Sequence, residues 1–401
     1  MAELIQRWIV LTNVQMFWEE HSQKAEREVI NMKLTSQMIK ERAKELGIDC
    51  IAIGNIERFK NSPILMSPIT YFPDAKSVIA IAMPIPRGAN RGIEEGTHWH
   101  NYTFYTYNKL NAFFRPIKTY DLCRFIEDNG YEAVAHYPAV PEGNGTTRKP
   151  VAEGKVPPDV VCSIRMIAAG CGLGEIGWSK VFLTKKYGPG VRLGLIFTDC
   201  VLEPDPILDT GTLCMHCGAC TRGCPGGAIP DPKDENARIY VDFGEKKVWF
   251  GDVQMGRCTL SHHGMNNECS PFLKKEFPNM AFDVRSSQMT EEEAYILCYA
   301  LAGAQWGRKP GNHAVMDYYN YIIEHTGYFA ICGARGCIRS CMDALEKSGR
   351  IERTFHNKYF KDKRWSLPLH PENPSKGVNP YREEFLDKNY PGIRKNEYEK
   401  K

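Results

Sequence analysis

Four closely spaced cysteines followed by a proline are the clearest chemical signal in the sequence. They form the pattern C-x2-C-x2-C-x3-C-P, with Cys214, Cys217, Cys220 and Cys224 as the candidate ligands. This spacing lets three thiolates reach three irons of one cubane [4Fe–4S] cluster, while the fourth cysteine ligates a different cluster. The segment therefore predicts two clusters and requires further cysteines elsewhere in the chain.

A second group of cysteines, near residue 340, could supply the missing ligands. Cys337 and Cys341 repeat the C-x3-C half of the motif, although Met342 replaces the proline. Four residues, instead of two, separate Cys332 from Cys337. We expect Cys341 to complete the first cluster, and we expect the second to take Cys224, Cys332, Cys337 and either Cys258 or Cys269.

A structural zinc site is the alternative use of these thiolates, because four cysteines also suit tetrahedral zinc. Zinc sites usually combine two C-x2-C pairs, so the run of three cysteines plus Cys-Pro favours iron. The chain contains 15 cysteines, and no disulfide framework is expected in a cytoplasmic protein. The scattered ones are predicted to be small buried hydrophobic residues: Cys50, Cys123, Cys162, Cys171, Cys200 and Cys298.

The composition is that of a globular chain of one or two domains. The 401 residues are 43% hydrophobic and 25% charged, with a formal net charge of +3. These values exclude a collagen-like or disordered chain and argue against a general DNA or membrane-surface binder. Leu4–Trp18 is apolar but is interrupted by polar residues, so we expect no membrane span. Without a recognisable export signal, the expected location is the cytoplasm.

Periodicity divides the chain into four predicted parts. Residues 1–46 are predicted to be a helical extension that ends at Gly47. Residues 47–200 are predicted to be an α+β domain, with strands at Cys50–Ile53, Val78–Ile85 and Val191–Phe197 and a helix at Ile117–Asp128. Residues 201–350 hold both cysteine groups and two helical patterns, Glu291–Ala304 and Ala314–His325. Residues 351–401 are predicted to be a tail that wraps the surface.

A glycine-rich segment at 172–177 matches G-x-G-x-x-G, the dinucleotide-binding pattern. That pattern must follow a strand and begin a helix. Here the preceding residues, Val160–Ala169, are helical in pattern, so a dinucleotide site is not expected. The cobalt-ligating motif D-x-H-x-x-G of methyltransferase-type corrinoid domains is also absent from the sequence.

Three segments together resemble one family of enzymes. They are YFPDAKSVIAIA at 71–82, AGCGLGEIG at 169–177 with the following YGPGVR and FTD, and the cysteine segment that begins at Cys214. Their order and spacing resemble the corrinoid-dependent iron–sulfur reductases, the group that contains reductive dehalogenases and epoxyqueuosine reductases. The resemblance covers roughly residues 48–345.

The resemblance implies an α+β protein with two functional domains. A nitroreductase-like domain would hold cobalamin with its lower base detached, and it would be fused to a bacterial ferredoxin-like domain with two [4Fe–4S] clusters. The resemblance also favours Cys258 over Cys269, because Cys258 follows the strand-like Val248–Phe250 at a distance seen in these relatives. The implied cofactor contacts are Gly172, Gly174, Gly177, Tyr187 and Thr198, with the glycines allowing the backbone to approach the corrin.

The proton donor differs between the two branches of this family. In dehalogenases it is a tyrosine with a basic neighbour, which here would be Tyr102, Tyr105 or Tyr107 with Arg192. In epoxyqueuosine reductases it is an aspartate, and Asp159 lies in the corresponding region, where it could equally be a helix N-cap. Trp178 stands where dehalogenases often have an arginine, which weakens the match to their site.

The function that these expectations support is reductive cleavage of a carbon–halogen or carbon–oxygen bond in a small organic substrate. The two clusters would pass single electrons to cobalt from an external ferredoxin- or flavodoxin-type donor. A homodimer is compatible with this function. The alternatives are an electron-transfer protein that reduces the corrinoid of a partner, an epoxyqueuosine reductase acting on tRNA, and a nitroreductase-like domain that holds flavin.

Overall fold

We analysed a computed structural model of the chain. It describes residues 33–358 apart from 49, 96–97, 99, 137–148, 156–157, 159, 267, 271–282, 288, 304–307, 310–312, 315–329 and 331. No helix within these described residues is long and apolar enough to cross a membrane.

The described elements are a mixture of helices and strands. The strands are β1 (Ile51–Asn55), β2 (Ser77–Pro84), β3 (Ala133–Ala135), β4 (Glu175–Ile176), β5 (Phe182–Leu183), β6 (Val191–Thr198), β7 (Arg238–Asp242), β8 (Lys247–Gly251), β9 (Arg308–Lys309) and β10 (His313–Ala314). The first α-helices are α1 (Ser36–Glu45), α2 (Pro68–Tyr71), α3 (Gly88–Glu95), α4 (His100–Thr103), α5 (Arg115–Asp128) and α6 (Ile164–Gly170). They are followed by α7 (Ala219–Gly223), α8 (Met255–His262), α9 (Glu291–Gly303), α10 (Cys332–Arg335) and α11 (Cys337–Ser348).

The centre of the fold is a four-stranded antiparallel sheet in the order β1-β2-β6-β3. Ile79 in β2 lies opposite Ile53 in β1 and Ile196 in β6, and all three side chains are fully buried. Because neighbouring side chains of a strand point to opposite faces, β2 contributes to two cores.

Each face of the sheet is covered by helices. On one face, Ile79 and Ile81 pack in a core with Ile39 of α1 and Leu122 and Ile126 of α5. On the other face, Val78 and Ala80 share a core with Leu195 and Phe197 and with Ile167 of α6. The chain leaves α6 through the 172–177 turn, so the second face is the one that leads toward the cysteine segment.

The cysteine groups lie in short elements outside the central sheet. Helix α7 carries Cys220 and packs on α11, which carries Cys337 and Cys341. Helix α8 carries Cys258, and both α9 and α10 pack against it. The chain therefore brings residues near 220, 258 and 340 together without a strand between them.

Several predicted elements are confirmed with small shifts of their ends. The predicted strands at Cys50–Ile53, Val78–Ile85 and Val191–Phe197 correspond to β1, β2 and β6, and the strand-like Val248–Phe250 lies within β8. The predicted helices at Ile117–Asp128 and Glu291–Ala304 correspond to α5 and α9, and α1 ends at the left-handed Gly47.

Other predictions stay untested or were incomplete. The predicted helix at Ala314–His325 lies outside the described residues except for Ala314, which is in β10. Most of residues 1–46 and 351–401 also lie outside them. The three domain boundaries stay predictions. The sequence did not predict that Phe104–Phe114, immediately before α5, is a π-helix, a conformation that is rare and frequent at functional sites.

A buried histidine gives the fold a testable pH dependence. His136 follows β3, and its Nε2 accepts a hydrogen bond of 3.1 Å from the Cys162 amide. Burial, with a smaller contribution from Arg115, lowers the pKa of His136 from 6.5 to about 4. The unfolded chain therefore binds the additional proton between these two values, so the stabilisation is present above pH 6.5 and is lost as the pH falls toward 4.

We expect this one group to reduce the free energy of unfolding by about 3 kcal/mol between pH 6.5 and pH 4. Denaturant unfolding at a series of pH values measures the effect. The variant His136→Gln keeps an acceptor for the Cys162 amide but does not titrate, so its pH profile should be flatter. Equal slopes for the two proteins would show that His136 is not the cause.

Candidate iron–sulfur centre and active site

The first three cysteines of the run lie in a tight loop that ends in α7. His216 and Gly218 adopt left-handed backbone conformations, with φ of 48° and 68°, and these turns fold the loop back on itself. Glycine adopts this conformation without strain, whereas histidine at φ > 0 is unusual. The loop thereby directs closely spaced side chains toward one point.

Cys341 joins this loop from a distant part of the sequence. The side chains of Cys214, Cys217, Cys220 and Cys341 line one cavity, together with neighbours that include Gly177, Trp178 and Leu345. The cavity is where α11 crosses the loop, and this crossing places Cys341 next to thiols more than 120 residues earlier. The four residues predicted for the first cluster are therefore neighbours in space.

The surroundings of these thiols suit thiolates that bind iron. The Trp178 amide donates to Cys214 Sγ at 3.4 Å, and the Ala228 amide donates to Cys224 Sγ at 3.3 Å. Amide hydrogen bonds to the sulfur atoms are one of the features that set the potential of a cluster. Burial, and then the neighbouring Cys220 and Cys214, raise the pKa of the Cys341 thiol well above its usual value. Bound iron would supply the positive charge that these thiolates need.

The second group of thiols lies deeper in the protein. Burial raises the pKa of Cys337, followed by the charges of the nearby Cys258 and Cys224. The pKa of Cys332 is raised by burial and then by Cys269 and Cys337. Five thiols therefore share one region, one more than a single cluster needs.

Both candidates for the fourth ligand of the second cluster are present in this region. Cys258 packs in the same apolar cluster as Cys224 and Cys337. Cys269 is the neighbour of Cys332, and its thiol donates to the carbonyl oxygens of Ser261 and Asn266 at 3.0 and 3.4 Å. Because the Cys269 thiol already has acceptors, Cys258 stays the preferred ligand.

Within the described part of the chain, no three His, Cys, Asp or Glu side chains converge closely enough to bind a single metal ion. The thiolates of a cubane bind four different irons, so they stand farther apart than the ligands of one ion.

The predicted tyrosines and arginine form a compact group on the other side of the second cysteine group. Arg192 lies in β6, and its Nε donates to the Thr106 carbonyl of the π-helix at 2.9 Å. Its guanidinium lies over the Tyr107 ring, 4.4 Å from the centroid. The Tyr102 and Tyr107 rings meet edge to face with centroids 6.0 Å apart. Arg192 Nη2 is buried and, among the described residues, has no hydrogen-bond partner.

The charge of Arg192 is maintained by its neighbours. Burial acts to lower the pKa of Arg192, but the hydroxyls of Tyr107 and Tyr102 outweigh burial, and the pKa is raised above its usual value. A permanently charged donor therefore lies beside two phenols, an arrangement that stabilises negative charge on a phenol oxygen or on a bound ligand.

The tyrosine–arginine group touches the cysteine segments directly. Tyr102 is fully buried, and its hydroxyl lies against the Cα of Gly333, the neighbour of Cys332. Thr103 Oγ1 donates to the Ala330 carbonyl at 2.8 Å. The Tyr107 ring meets the ring of His262, at the end of the helix that carries Cys258, with centroids 5.6 Å apart. The second cysteine group thus lies next to the tyrosines.

Comparison with curated proteins identifies relatives that share parts of this chain, whereas no family model matches. The tetrachloroethene reductive dehalogenase of Sulfurospirillum multivorans is 31% identical over 134 residues, which cover 33% of this chain and 23% of that protein. The epoxyqueuosine reductase of Bacillus subtilis is 25% identical over 247 residues, which cover 53% of this chain and 56% of that protein. The chain is a homologue of reductive dehalogenases and epoxyqueuosine reductases.

Solved structures of both kinds of reductase are also similar. A selenomethionine-labelled epoxyqueuosine reductase matches with a TM-score of 0.40 and 15% identity, covering 78% of this chain and 82% of that one. A catabolic reductive dehalogenase matches with a TM-score of 0.39 and 16% identity, covering 84% of this chain and 44% of that one. The chain matches about a fifth of the length of the dehalogenase relatives and about half of the Bacillus reductase.

The other two predicted proton donors are Tyr105 and Asp159. The Tyr105 side chain is 42% exposed, and its ring lies against Phe104. Asp159 lies outside the described residues. Of the four residues proposed as catalytic, the structure brings together Tyr102, Tyr107 and Arg192.

The three glycines predicted to contact the cofactor are closely packed against other atoms of the protein. A Cβ on Gly172 would meet the Pro206 carbonyl, one on Gly174 would meet the Leu183 carbonyl, and one on Gly177 would meet the Leu183 side chain. The packing of the protein therefore gives each of these glycines a structural reason, since protein atoms occupy the side where a Cβ would stand. The contacts themselves stay predictions.

The last two predicted contacts are also packed inside the protein. Tyr187 belongs to the core on the second face of the sheet. Thr198 ends β6, and its hydroxyl accepts a hydrogen bond of 3.2 Å from the Cys200 amide. Cofactor contact by either side chain likewise stays a prediction.

The close packing at Gly174 gives a direct test. We expect Gly174→Ala to lower the free energy of unfolding by roughly 1–3 kcal/mol, because the new methyl group meets backbone that cannot move aside. Denaturant unfolding without added corrinoid measures this loss. The matched control is Gly88→Ala, where no atom lies within 4 Å of the new methyl group. Unchanged stability of Gly174→Ala would restore the cofactor as the reason for this glycine.

Three residues that the structure places in the site were not predicted as site residues from the sequence. Glu175 accepts hydrogen bonds from the first cysteine loop, the Trp178 amide binds Cys214, and His262 packs on Tyr107. Glu175 and Trp178 lie in the GLGE segment and its continuation, and His262 is four residues after Cys258. Their partners lie far away in sequence, and no local pattern indicates them.

Proposed function

We propose that the protein is a reductase that uses two [4Fe–4S] clusters and a corrinoid to cleave a carbon–halogen or carbon–oxygen bond in a small organic substrate. The observation that carries the proposal is the group of Tyr102, Tyr107 and Arg192, which lies directly against the segment of Cys332. A redox centre and a proton donor next to a cation are the two protein parts that a reductive cleavage needs.

The electron path follows from the order of the cysteine groups. The first group includes the exposed Cys217, whereas Cys224 and Cys332 of the second group are buried. We call the cluster proposed at the first group the outer cluster and the one proposed at the second group the inner cluster. An external ferredoxin- or flavodoxin-type donor would reduce the outer cluster, and the inner cluster would pass electrons on toward the tyrosines. The cysteine ligands proposed are those of the two spatial groups, with Cys258 as the fourth ligand of the inner cluster.

The proton is supplied by the protein. Tyr107 is the proposed proton donor, because its ring lies under the guanidinium of Arg192, which stabilises the phenolate left behind. Tyr102, fully buried against Gly333, is proposed to hold Arg192 and the inner cluster segment in place. The unpartnered Arg192 Nη2 is available to an oxygen or halogen atom of the substrate or to an amide of the cofactor.

The corrinoid is part of the proposal because the homologous reductases share this segment order. Bound cobalamin would supply the low-valent cobalt that attacks or reduces the substrate. The buried, unpartnered donor at Arg192 fits a polar ligand on this face. The turn at 172–177 could contact it only through backbone atoms, since protein atoms close the side of each glycine.

Anaerobic purification with hydroxocobalamin supplied during expression tests the framework. We expect about eight irons and one cobalt per chain, with the visible spectrum of a base-off corrin. With a chemical reductant, the loaded protein should release halide from halogenated phenols. The variant Arg192→Met should keep both metals and lose most of this release.

Other outcomes would point to the alternatives. Iron without cobalt, with a flavin spectrum, would contradict the corrinoid. Iron and cobalt without halide release, but with conversion of epoxyqueuosine in tRNA, would assign the protein to the second branch of its homologues. Both clusters without any bound cofactor would indicate an electron-transfer protein.

A further inference from the structure

We propose that Glu175 is a positioning residue that holds the first cysteine loop in place and lowers the reduction potential of the first cluster. This inference rests on the proposed function, because it assumes a cluster at Cys214, Cys217, Cys220 and Cys341. Glu175 begins β4 and is only 5% exposed. A charged side chain is rarely buried to this extent unless it has partners.

The partners of Glu175 are three backbone amides at the start of the cysteine loop. One carboxylate oxygen accepts from Gly211 at 2.7 Å, and the other accepts from Leu213 at 2.6 Å and from Cys214 at 3.1 Å. All three partners are donors, which suits an ionised carboxylate, whose oxygens only accept. Such charge-assisted hydrogen bonds are the stronger ones. The third of these hydrogen bonds comes from the backbone amide of Cys214, which is a proposed iron ligand.

The backbone around Glu175 is fixed by its neighbours. Residue 175 pairs with Leu183 in the two-stranded β4–β5 ladder, and the adjacent Gly174 lies tightly against the Leu183 carbonyl. The carboxylate is therefore attached to a hydrogen-bonded two-stranded ladder that is closely packed at Gly174. Its hydrogen bonds connect that element to the loop that holds the outer cluster.

The negative charge of Glu175 acts on the thiols of the first group. Its carboxylate is buried and lies within hydrogen-bond distance of the Cys214 backbone, so water screens this charge poorly from the first group. A fixed negative charge beside a cluster disfavours the addition of an electron, so it lowers the reduction potential.

Arg350 is the opposing charge near this carboxylate. Burial raises the pKa of Glu175, while the three amide hydrogen bonds and then the charge of Arg350 act against this rise. Arg350 Nη1 also donates to the Gly211 carbonyl at 3.0 Å. Arg350 itself is exposed. The outer cluster is thus expected to respond in opposite directions to loss of the two side chains.

The test is a redox titration of each cluster, followed by electron paramagnetic resonance, in protein reconstituted with iron and sulfide without corrinoid. We expect Glu175→Gln to move the potential of one cluster to a more positive value and to leave the other unchanged. Arg350→Met should move the same cluster to a more negative value. The matched control is Glu235→Gln, which removes an exposed carboxylate that pairs with Arg238. Its potentials should equal those of the wild type.

The hydrogen-bonding role has its own readout. Glu175→Ala should lose about half of its iron, because four of eight irons depend on the anchored loop. Glu175→Asp should recover little, because the shorter side chain cannot reach all three amides. Loss of one cluster from Glu175→Gln, in a chain that keeps the other, would also support the anchor.

Unchanged potentials and iron content in Glu175→Gln and Arg350→Met would overturn the inference, and so would equal shifts of both clusters. If Glu175→Gln failed to fold, Arg350→Met would still test the inference, because Arg350 is exposed. A more negative reduction potential of the outer cluster in this variant would support the inference, and an unchanged or more positive one would overturn it. Absence of iron–sulfur clusters from the wild-type protein would instead contradict the proposed function.

Discussion

Replacing Cys341 by alanine is expected to remove about four of the eight irons and to leave the second cluster intact. The side chain of Cys341 lines the same cavity as Cys214, Cys217 and Cys220, although more than 100 residues separate it from them. Loss of one of four thiolates leaves an iron without its protein ligand, and the cubane is then released. Iron analysis and paramagnetic resonance of the anaerobic variant measure the loss.

The matched control is Cys123→Ala. Cys123 is a buried thiol of α5, and burial, with a smaller contribution from Glu127, raises its pKa to about 12. Cys123 packs in the core between α5 and the central sheet, apart from both cysteine groups, so its loss should not affect iron binding. Full iron content in Cys341→Ala would show that another residue completes the first cluster. Loss of all iron would show that the clusters assemble only together.

Replacing Tyr107 by phenylalanine is expected to lower the turnover rate by about 10²–10⁴-fold, the usual contribution of a general acid. The change removes one hydroxyl and keeps the ring that packs under Arg192 and against His262. Iron content, corrinoid content and stability should therefore stay near the wild-type values. Halide release under single-turnover conditions isolates the effect on the chemical step.

Tyr105→Phe is the control for this change, because Tyr105 lies on the same π-helix but its side chain is exposed to solvent. Its activity should equal that of the wild type. Tyr102→Phe distinguishes the two buried phenols: we expect a smaller loss of rate, together with lower stability of the Cys332 segment. Near-complete loss in Tyr102→Phe with little change in Tyr107→Phe would exchange the roles of the two tyrosines.

The sequence predicted those parts of the fold and site that depend on local patterns. Ser77–Pro84 is a nearly continuous apolar run, and most of its residues are buried, whereas Arg192 interrupts the apolar run of Val191–Thr198. The short spacing of the first three cysteines predicts a tight loop. The motif also implied a distant partner for this loop, and Cys341 lies beside it in the structure.

The remaining features depend on packing between distant segments. Nothing local distinguishes Glu175 from a surface glutamate, because its partners at 211–214 come from another part of the chain. The π-helix at Phe104–Phe114 widens a helix whose sequence suits an ordinary one, and it presents the Thr106 carbonyl to Arg192. The glycines at 172 and 174 were assigned to a ligand, whereas their neighbours are backbone carbonyls that only the fold brings close.

The unequal exposure of the two cysteine groups has a consequence for damage and repair. Oxidants reach a cluster through solvent, and Cys217 is exposed while Cys224 and Cys332 are buried. If the two groups hold the proposed clusters, air should attack the cluster at Cys217 first and spare the one at Cys224 and Cys332 for longer. Oxidative damage would then begin on the side where electrons are proposed to enter.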